Sequence, residues 1–197
     1  MDQTIDYYNQ NAKEFAIGTV NANMLDTQRK FISLLSPGSH IFDIGCGSGR
    51  DSKFFIDNGF KVTAMDASNE LCSFAEKLIN QKVLCMTFDD IDFKCEFDAA
   101  WACASLLHVK KDKMIDTLLK VSTSLKQGGL FYVSYKYGSY ERETKGRHFS
   151  DYTEDDIPNL FSDETKLICQ EWWISEDVRP DRKDEKWLNI IVRKADQ

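Results

Sequence analysis

Apolar residues recur along the chain with two periods, one typical of helices and one typical of buried strands. Helical spacing predicts helices over 26–35, 50–57, 68–80 and 110–126, the third of them capped by Ser68. Short apolar runs predict strands around 41–43 and over 61–65, 82–86, 97–104 and 130–136. Because strands and helices alternate, the pattern favours a parallel sheet wound by helices on both faces.

The pattern changes in the C-terminal part of the chain. Two adjacent strand-like runs, 167–175 and 186–194, are separated by a charged connection. Such neighbours suit an antiparallel arrangement that finishes an otherwise parallel sheet. Before them, the Gly128–Gly129 pair is expected to end the helix that precedes the strand at 130–136.

The most informative segment follows the first strand. Asp43 is followed by three glycines at alternate positions, Gly45, Gly47 and Gly49, and then by a helix. A tight strand-to-helix turn is expected to present free backbone N–H groups to a nucleoside-bearing ligand. A dinucleotide fingerprint would have its third glycine at Arg50, and Asp43 would repel a diphosphate but attract an ammonium group. The spacing therefore favours a cationic nucleoside without phosphate.

An acidic residue also follows the second strand. The run 61–65 ends at Asp66, 21 residues after Gly45. A carboxylate at the tip of this strand can accept hydrogen bonds from both hydroxyls of a ribose held at the glycine turn. We therefore expect Asp66 to bind ribose.

These features resemble the class I S-adenosylmethionine-dependent methyltransferases, whose signature is Asp-x-Gly-x-Gly-x-Gly after the first strand and an acidic residue after the second. The similarity covers residues 5–137, and the stretches 45–52 and 58–62 look most like the tellurite-resistance and thiopurine-type small-molecule branch. The resemblance implies an α/β, Rossmann-like doubly wound sheet of seven strands, mostly parallel with one antiparallel strand near the C-terminus. It also implies S-adenosyl-L-methionine as cofactor and S-adenosyl-L-homocysteine as product.

The same resemblance assigns cofactor contacts to the ends of the first four strands. Family members place an acidic residue after the third strand to read adenine, but Thr87 occupies that position here. The acceptor for the adenine amine therefore stays open among Thr87, Asp89 and Asp90, and Phe88 is expected to pack on the base. The expected cofactor-binding residues are Asp43, Gly45, Cys46, Gly47, Gly49, Arg50, Asp66, Ala67, Ser68, Thr87, Phe88, Asp89, Ala104 and Ser105.

Two residues are candidates for catalysis. His108 follows the fourth strand and is expected to act as general base for an acceptor hydroxyl or amine, with a structural role at a helix start as the alternative. Tyr8 lies in a segment that resembles the leading helix of many family members. Its ring is expected to shield the sulfonium while its hydroxyl faces the acceptor, and ordinary packing is the alternative. Thr19 and Arg29 are expected to line the same N-terminal lid.

The segment after the fifth strand mixes aromatic and basic residues. This contrasts with the acidic remainder of the chain, and the segment follows a strand whose end lies beside the expected cofactor site. We therefore expect it to select the acceptor. The candidate acceptor-binding residues are Lys136, Tyr137, Arg142, Arg147 and His148.

Length and charge narrow the possibilities further. The 197 residues suit one methyltransferase domain over 1–197, with an N-terminal helical lid over 1–36 and an acceptor-side insertion over 137–160. A net charge of −7, from 25 basic and 32 acidic residues, disfavours general binding to nucleic acid.

Cysteine spacing and the N-terminus bear on metal and location. The six cysteines have no CxxC spacing, so we expect reduced thiols and no metal site. The N-terminus is acidic and aromatic rather than leader-like, and no apolar run approaches the length of a membrane span. These observations predict a cytoplasmic protein without membrane partners.

The function expected from the sequence is methyl transfer from S-adenosylmethionine to a small-molecule acceptor of unknown identity. The runs 146–153 and 186–192 faintly resemble tRNA wobble-uridine methyltransferases, which leaves RNA as an alternative acceptor. A nicotinamide-dependent oxidoreductase and a non-catalytic nucleoside-binding module are further alternatives. The oligomeric state and the pathway stay open.

Overall fold

The helices and strands of the computed structural model follow the predicted alternation. The structure describes residues 3–179 and 182–196. Its α-helices are α1 (Gln3–Thr19), α2 (Leu25–Ser33), α3 (Arg50–Asp57), α4 (Asn69–Ile79), α5 (Met114–Ser124) and α6 (Ile157–Leu160). Its strands are β1 (His40–Ile44), β2 (Lys61–Asp66), β3 (Leu84–Cys85), β4 (Phe97–Ala102), β5 (Leu125–Lys136), β6 (Glu141–Thr144), β7 (Arg147–Ser150), β8 (Leu167–Glu176) and β9 (Lys186–Lys194).

Seven strands form the main sheet in the order β3-β2-β1-β4-β5-β9-β8. The pairs among β1 to β5 are parallel, whereas β9 runs antiparallel to both β5 and β8. This confirms the predicted seven-stranded, doubly wound fold with one antiparallel strand near the C-terminus. The strand order reverses between β1 and β4, and open α/β sheets bind ligands outside the carboxyl ends at such a point.

Aromatic residues fill the core on both sides of the sheet. Phe42 and Phe97 stack at 4.5 Å between ring centroids in one cluster, which includes the buried side chains of α5. In the other cluster Trp101 stacks on Tyr132 at 4.0 Å and meets Phe31 of α2. Because both clusters are buried and close-packed, they hold β1 and β4 in fixed positions.

The start of β5 corrects one prediction. Helix α5 ends at Ser124 and β5 begins at Leu125, so the Gly128–Gly129 pair lies inside a strand and does not end the helix. The pairing with β4 shifts there, from Phe97 opposite Leu125 to Ala99 opposite Leu130. A Cβ on Gly129 would lie 2.8 Å from the Lys126 carbonyl oxygen, so the glycines permit a bulge in the strand.

A separate hairpin, β6–β7, lies within the predicted acceptor-side insertion. Thr144 pairs with Arg147, so the connection is only Lys145 and Gly146, which have φ values of 52° and 75°. Two successive residues with positive φ are typical of a tight hairpin turn. Within the described ranges no helix is long and apolar enough to cross a bilayer.

Candidate active site

Two cavities open at the carboxyl ends of the parallel strands. The larger has a volume of about 1140 Å³ and reaches past Asp66, Ser68 and Thr87. The smaller, of about 510 Å³, lies on the side of β5 and the C-terminal strands. The two cavities share six lining residues, which we call the junction: Tyr8, Phe15, Gly45, Gly47, Ala104 and His108.

The glycine turn borders both cavities, but its amides are not free. The N–H groups of Gly45 and Cys46 both donate to the Met65 carbonyl oxygen at 2.9 Å, and Gly49 N donates to the Cys46 carbonyl oxygen. The expectation that this turn offers unpaired N–H groups is therefore wrong for these residues. The bonds to Met65 tie the turn to β2, so these amides are not available to a phosphate.

Close approach explains the glycines instead. Gly45 has a φ of 74°, and a Cβ there would lie 2.5 Å from the Cβ of Ser105. A Cβ on Gly47, at φ 56°, would lie 3.3 Å from the Phe15 ring. The glycines therefore let Ser105 and Phe15 pack directly against the backbone of the turn, and this backbone lines both cavities.

Asp66 lines the larger cavity at the end of β2. Its Oδ2 accepts from Gly47 N and its Oδ1 from Ser68 N, both at 2.9 Å. Burial raises the pKa of this carboxyl, although the backbone N–H donors oppose the shift. The backbone donors, which include Ala67, hold the carboxylate in place at the cavity wall, where a ligand hydroxyl could donate to it.

Asp43 is not placed as predicted. Its side chain is 2% exposed, it lines neither cavity, and its Oδ2 accepts a hydrogen bond from Ser52 Oγ at 2.5 Å. Burial, together with the nearby negative charge of Asp51, raises the pKa of Asp43 to about 8. The prediction that Asp43 directly contacts a ligand ammonium group is therefore wrong. The carboxyl lies beneath the turn, enclosed by β1 and α3.

The buried Asp43 carboxyl predicts a specific pH dependence of stability. Because its folded pKa is raised above the unfolded value, it stabilises the fold below pH 4, and this contribution is lost as the pH rises toward about 8. The Asp43→Asn variant should lack this slope of up to about 1.4 kcal/mol per pH unit. Urea unfolding measured from acidic to weakly basic pH should show that the free energy of unfolding of the variant rises relative to that of the wild type. Asp57→Asn, an exposed control, should follow the wild type, and parallel pH curves for the Asp43 variant would contradict the prediction.

Asp51 is a buried residue that the sequence analysis missed. Its carboxylate accepts from Arg50 Nε at 2.7 Å, Gln28 Nε2 at 2.7 Å and Trp101 Nε1 at 2.9 Å. Burial alone raises its pKa, but the Arg50 guanidinium and these hydrogen bonds hold it below the ordinary value. Arg50 lines only the smaller cavity and is occupied by this ion pair, which joins α2, α3 and β4.

The expected adenine side lies in the larger cavity. Thr87, Phe88 and Asp89 line it, as do Ala67 and Ser68, whereas Cys46 lines only the smaller cavity. The Asp90 carboxylate does not line the cavity, because it accepts from Thr87 N at 2.8 Å and Thr87 Oγ1 at 2.7 Å. These bonds lower the pKa of Asp90 and close a tight turn. The open choice for an adenine-amine acceptor therefore narrows to Thr87 and Asp89.

The structure brings Tyr8 and His108 together at the junction. His108 Nδ1 lies 2.6 Å from the His148 carbonyl oxygen, which can only accept, so Nδ1 carries the proton. In the neutral ring Nε2 is then an acceptor, and the Tyr8 hydroxyl donates to it at 2.8 Å. Burial raises the pKa of Tyr8, while a hydrogen bond from Arg147 opposes this shift. The two residues form one hydrogen-bonded chain that opens on both cavities.

The predicted acceptor residues divide between the cavities. Lys136, Arg142 and Arg147 line the smaller cavity, whereas His148 lines the larger. Tyr137 lines neither cavity: its backbone forms a β-bridge with Tyr152 and its side chain hydrogen-bonds Glu154, so its predicted acceptor contact is corrected.

The two lid residues also differ. Thr19 lines the smaller cavity, but Arg29 is exposed on α2 and lines neither cavity, because α2 presents Phe31 to the core on its other side.

The connection between β8 and β9 supplies a cavity wall that the sequence analysis did not assign. Asp177 is buried and accepts from Arg179 Nη2 at 2.6 Å and from Trp187 Nε1 at 3.0 Å. The charged residues between the two predicted strands were the available signal. The described lining residues from this region are Ser175, Glu176, Asp177, Val178, Arg179, Arg182, Glu185, Trp187 and Asn189.

Sheet order, glycine turn and terminal carboxylate of β2 together define the architecture of the class I S-adenosylmethionine-dependent methyltransferases. Residues 41–129 match the model of a family described as a methyltransferase domain. The chain is also 34% identical over 97 residues to YqeM of Bacillus subtilis (strain 168), a protein named as an inferred methyltransferase. That match covers 46% of this chain and 39% of YqeM, so the chain spans about two fifths of the curated relative it matches.

Solved structures share the fold along nearly the whole chain. The Burkholderia thailandensis 1,6-didemethyltoxoflavin-N1-methyltransferase, solved with bound 1,6-didemethyltoxoflavin and S-adenosylhomocysteine, matches with a TM-score of 0.78 and 20% identity, over 98% of this chain and 85% of its own. A TehB-like methyltransferase from Corynebacterium glutamicum matches with a TM-score of 0.69 and 15% identity, over 96% of this chain and 97% of its own. The [4+2]-cyclase SpnF matches with a TM-score of 0.73 and 15% identity, over 100% of this chain and 97% of its own.

Together these matches support S-adenosylmethionine as the cofactor, and the cradle at Gly45, Gly47 and Asp66 fits it. They support neither the tRNA alternative nor the oxidoreductase alternative. Likeness at these identities shows the fold alone, and the fold also carries a cyclase. Among the described residues no group of three His, Cys, Asp or Glu side chains is arranged to hold a metal ion.

Proposed function

We propose that this protein transfers a methyl group from S-adenosylmethionine to a small-molecule acceptor. The observation that carries the proposal is the junction, where the two cavities meet beside the hydrogen-bonded pair Tyr8 and His108. The larger cavity also contains the Asp66 carboxylate, which is placed to bind a ribose. A donor in the larger cavity and an acceptor in the smaller one would meet at the junction. Cytoplasmic location and membership of the tellurite-resistance or thiopurine branch stay predictions from the sequence.

The larger cavity supplies groups for each part of the nucleoside. Asp66 would accept from the ribose hydroxyls, and Thr87, Phe88 and Asp89 would border adenine. The backbone at Gly45 and Gly47, which lines both cavities, would lie against the amino-acid part at the junction. S-adenosylmethionine supplies an activated methyl group on a cationic sulfur. The rings of Tyr8 and Phe15, 5.0 Å apart between centroids, line the junction, and aromatic faces attract cations.

Helix α1 acts as the proposed lid. It contributes Tyr8, Phe15 and Thr19 to the cavity walls, and Ser68 Oγ donates to its Asn9 Oδ1 at 2.8 Å. A covered junction excludes water and holds the reactants in line, which supplies on the order of 7–11 kcal/mol in well-oriented reactions. The proposed single domain thus uses its N-terminal segment on the cofactor side and its β6–β7 hairpin on the acceptor side.

Tyr8 and His108 provide a route for the acceptor's proton. An acceptor O–H or N–H would donate to Tyr8 Oη while the Tyr8 proton passes to His108 Nε2. The imidazolium that results keeps its Nδ1–H bond to the His148 carbonyl oxygen, which accepts from the charged ring. The phenolic oxygen regains a proton from the acceptor, so the net change is one proton moved to His108.

A labelling experiment tests the proposal. The protein is incubated with methyl-labelled S-adenosylmethionine and separate pools of small metabolites and RNA, and calorimetry measures binding of S-adenosylhomocysteine. We expect S-adenosylhomocysteine to bind and label to enter the metabolite pool. Binding without any methyl transfer would contradict the proposal and favour a cyclase-like or non-catalytic use of the fold, and label confined to RNA would replace the acceptor class.

Asp66 offers a direct test of the cofactor site. Asp66→Asn removes a charge-assisted acceptor worth about 1.5–3 kcal/mol and turns an NH₂ group toward Gly47 N or Ser68 N. S-adenosylhomocysteine affinity should therefore fall about 10- to 100-fold in calorimetry. The exposed Asp57→Asn change is the matched control and should leave affinity unchanged. Wild-type affinity in the Asp66 variant would place the nucleoside elsewhere.

A further inference from the structure

We infer that the acceptor carries an anionic group, a carboxylate or a phosphate, which pairs with Arg147 in the smaller cavity. The inference rests on the proposed methyl transfer and specifies the chemistry of its acceptor. It starts from the charges on the walls of this cavity, which differ in sign from the chain as a whole.

Basic side chains dominate the smaller cavity although the chain has a net charge of −7. The basic lining residues are Arg50, Lys136, Arg142, Lys145, Arg147, Arg179 and Arg182. The acidic lining residues are Asp51, Glu176, Asp177 and Glu185. A cavity lined mainly by one sign of charge concentrates ligands of the opposite sign.

Most of these cations already have a carboxylate partner. The ion pairs are Arg50–Asp51, Lys136–Glu185, Arg142–Asp151, Arg179–Asp177 and Arg182–Glu185. Within residues 3–179 and 182–196 no carboxylate pairs with Arg147 or Lys145. Lys145 is exposed at the turn of the hairpin, so Arg147 is the cation inside the cavity that lacks a described counter-ion.

Aromatic rings hold the Arg147 guanidinium in place. It lies 4.4 Å from the Tyr7 ring centroid, 5.1 Å from that of Phe149 and 5.9 Å from that of Tyr8. Its Nε atom is buried and has no described hydrogen-bond partner. The residue is half-buried and hydrogen-bonds Tyr8, but a partly desolvated cation without a counter-ion is unfavourable, and a planar guanidinium pairs well with a carboxylate or phosphate. A ligand anion would remove this cost.

Lys136 gives an independent sign of excess positive charge. Burial, together with the nearby charges of Arg182, Arg179 and Arg142, lowers the pKa of Lys136 to about 8 against the opposing effect of Asp177. The repulsion among these cations would fall when a ligand anion enters the cavity. The anion would therefore benefit from the surrounding field as well as from Arg147 itself.

Size and aromatic lining restrict the rest of the acceptor. A cavity of about 510 Å³ lies within the usual range for small molecules. Tyr132, Phe149 and Trp187 also line it, which suits a planar apolar body. Arg147 lies beside Tyr8, so the anionic group would fix the acceptor with its nucleophile near the Tyr8 hydroxyl.

Matched probes test the inference with S-adenosylhomocysteine saturating the larger cavity. Benzoate, phenyl phosphate and the neutral benzamide share a ring, and ligand-observed NMR titration compares their affinities. We expect at least one anion to bind about tenfold or more tightly than benzamide, as one charge-assisted pair provides. The anion that binds more tightly shows whether the anionic group of the acceptor is a carboxylate or a phosphate.

Variants assign the preference to Arg147. Arg147→Gln should abolish the preference for the anion, whereas Arg29→Gln, an exposed arginine outside both cavities, should retain it. S-adenosylhomocysteine binding is measured in every sample. Two results would overturn the inference while S-adenosylhomocysteine still binds: benzamide binds as tightly as both anions, or the Arg147 variant keeps the preference for the anion. Either result leaves the proposed function standing. If S-adenosylhomocysteine itself fails to bind the folded protein, the proposed function fails.

Discussion

Replacement of Gly45 with alanine should reduce S-adenosylhomocysteine affinity by about 100-fold or more. The new Cβ would lie 2.5 Å from the Cβ of Ser105, at a residue whose φ is 74°. The left-handed conformation costs a non-glycine residue roughly 1–2 kcal/mol. Overpacking adds about 1–3 kcal/mol. Because Gly45 borders both cavities, the turn can relieve the contact only by moving the surface on which the cofactor lies.

Gly59 provides the matched control for this change. It has a φ of 84°, but no heavy atom outside its immediate neighbours lies within 4 Å of an added Cβ. Gly59→Ala should therefore lower stability by the conformational cost alone and preserve binding. Ser105→Gly removes the clashing Cβ and should restore part of the affinity in the double variant. Calorimetry and thermal unfolding measure both quantities, and full affinity in Gly45→Ala would show that the turn does not contact the ligand.

Loss of the His108 side chain as a proton acceptor should lower kcat by about 100- to 10,000-fold for an acceptor that loses a proton. His108→Gln keeps a polar group but cannot accept the Tyr8 proton as a base. Affinity for S-adenosylhomocysteine should stay at the wild-type level, because the contacts of Asp66 are unchanged. Single-turnover kinetics with labelled cofactor measures this step.

Tyr8→Phe tests whether the two residues act as one chain. The substitution keeps the ring and removes the hydroxyl that donates to His108 Nε2 at 2.8 Å. Residues that act as a unit are not additive, so the double variant should be no slower than the slower single variant. His40→Gln, a histidine on the opposite end of β1 that contacts Thr63, should leave kcat unchanged. Additive losses would contradict the shared route for the proton.

Much of the cofactor side could be predicted because its signals are local. The Asp43–Gly49 pattern and Asp66 belong to consecutive elements, and parallel neighbours β1 and β2 bring them together. The cause of the glycines was harder to predict. Gly45 is needed because Ser105, 60 positions away in the chain, lies against it, and its amide bonds to Met65 rather than to a ligand.

The acceptor side depended on contacts that sequence spacing does not encode. The β6–β7 hairpin places Arg147 over Tyr7 and Tyr8 of α1, and the connection after β8 closes the cavity from the other side. Asp51 shows the same limitation. A carboxylate in the first turn of a helix is typical of a solvated position, yet here Gln28 and Trp101 from distant segments enclose it.

By itself, the sequence determined the alternation of strands and helices, the glycine turn and the carboxylate after β2. These follow from hydrophobic periodicity and from backbone conformations that only a few residue types adopt. Tertiary structure alone decided that Tyr8 and His108, 100 residues apart, share a hydrogen bond, that Asp43 is enclosed, and that Arg147 lacks a described counter-ion. These arrangements depend on long-range packing, which brings polar groups from distant segments together, and hydrophobic periodicity along the sequence does not record which groups meet.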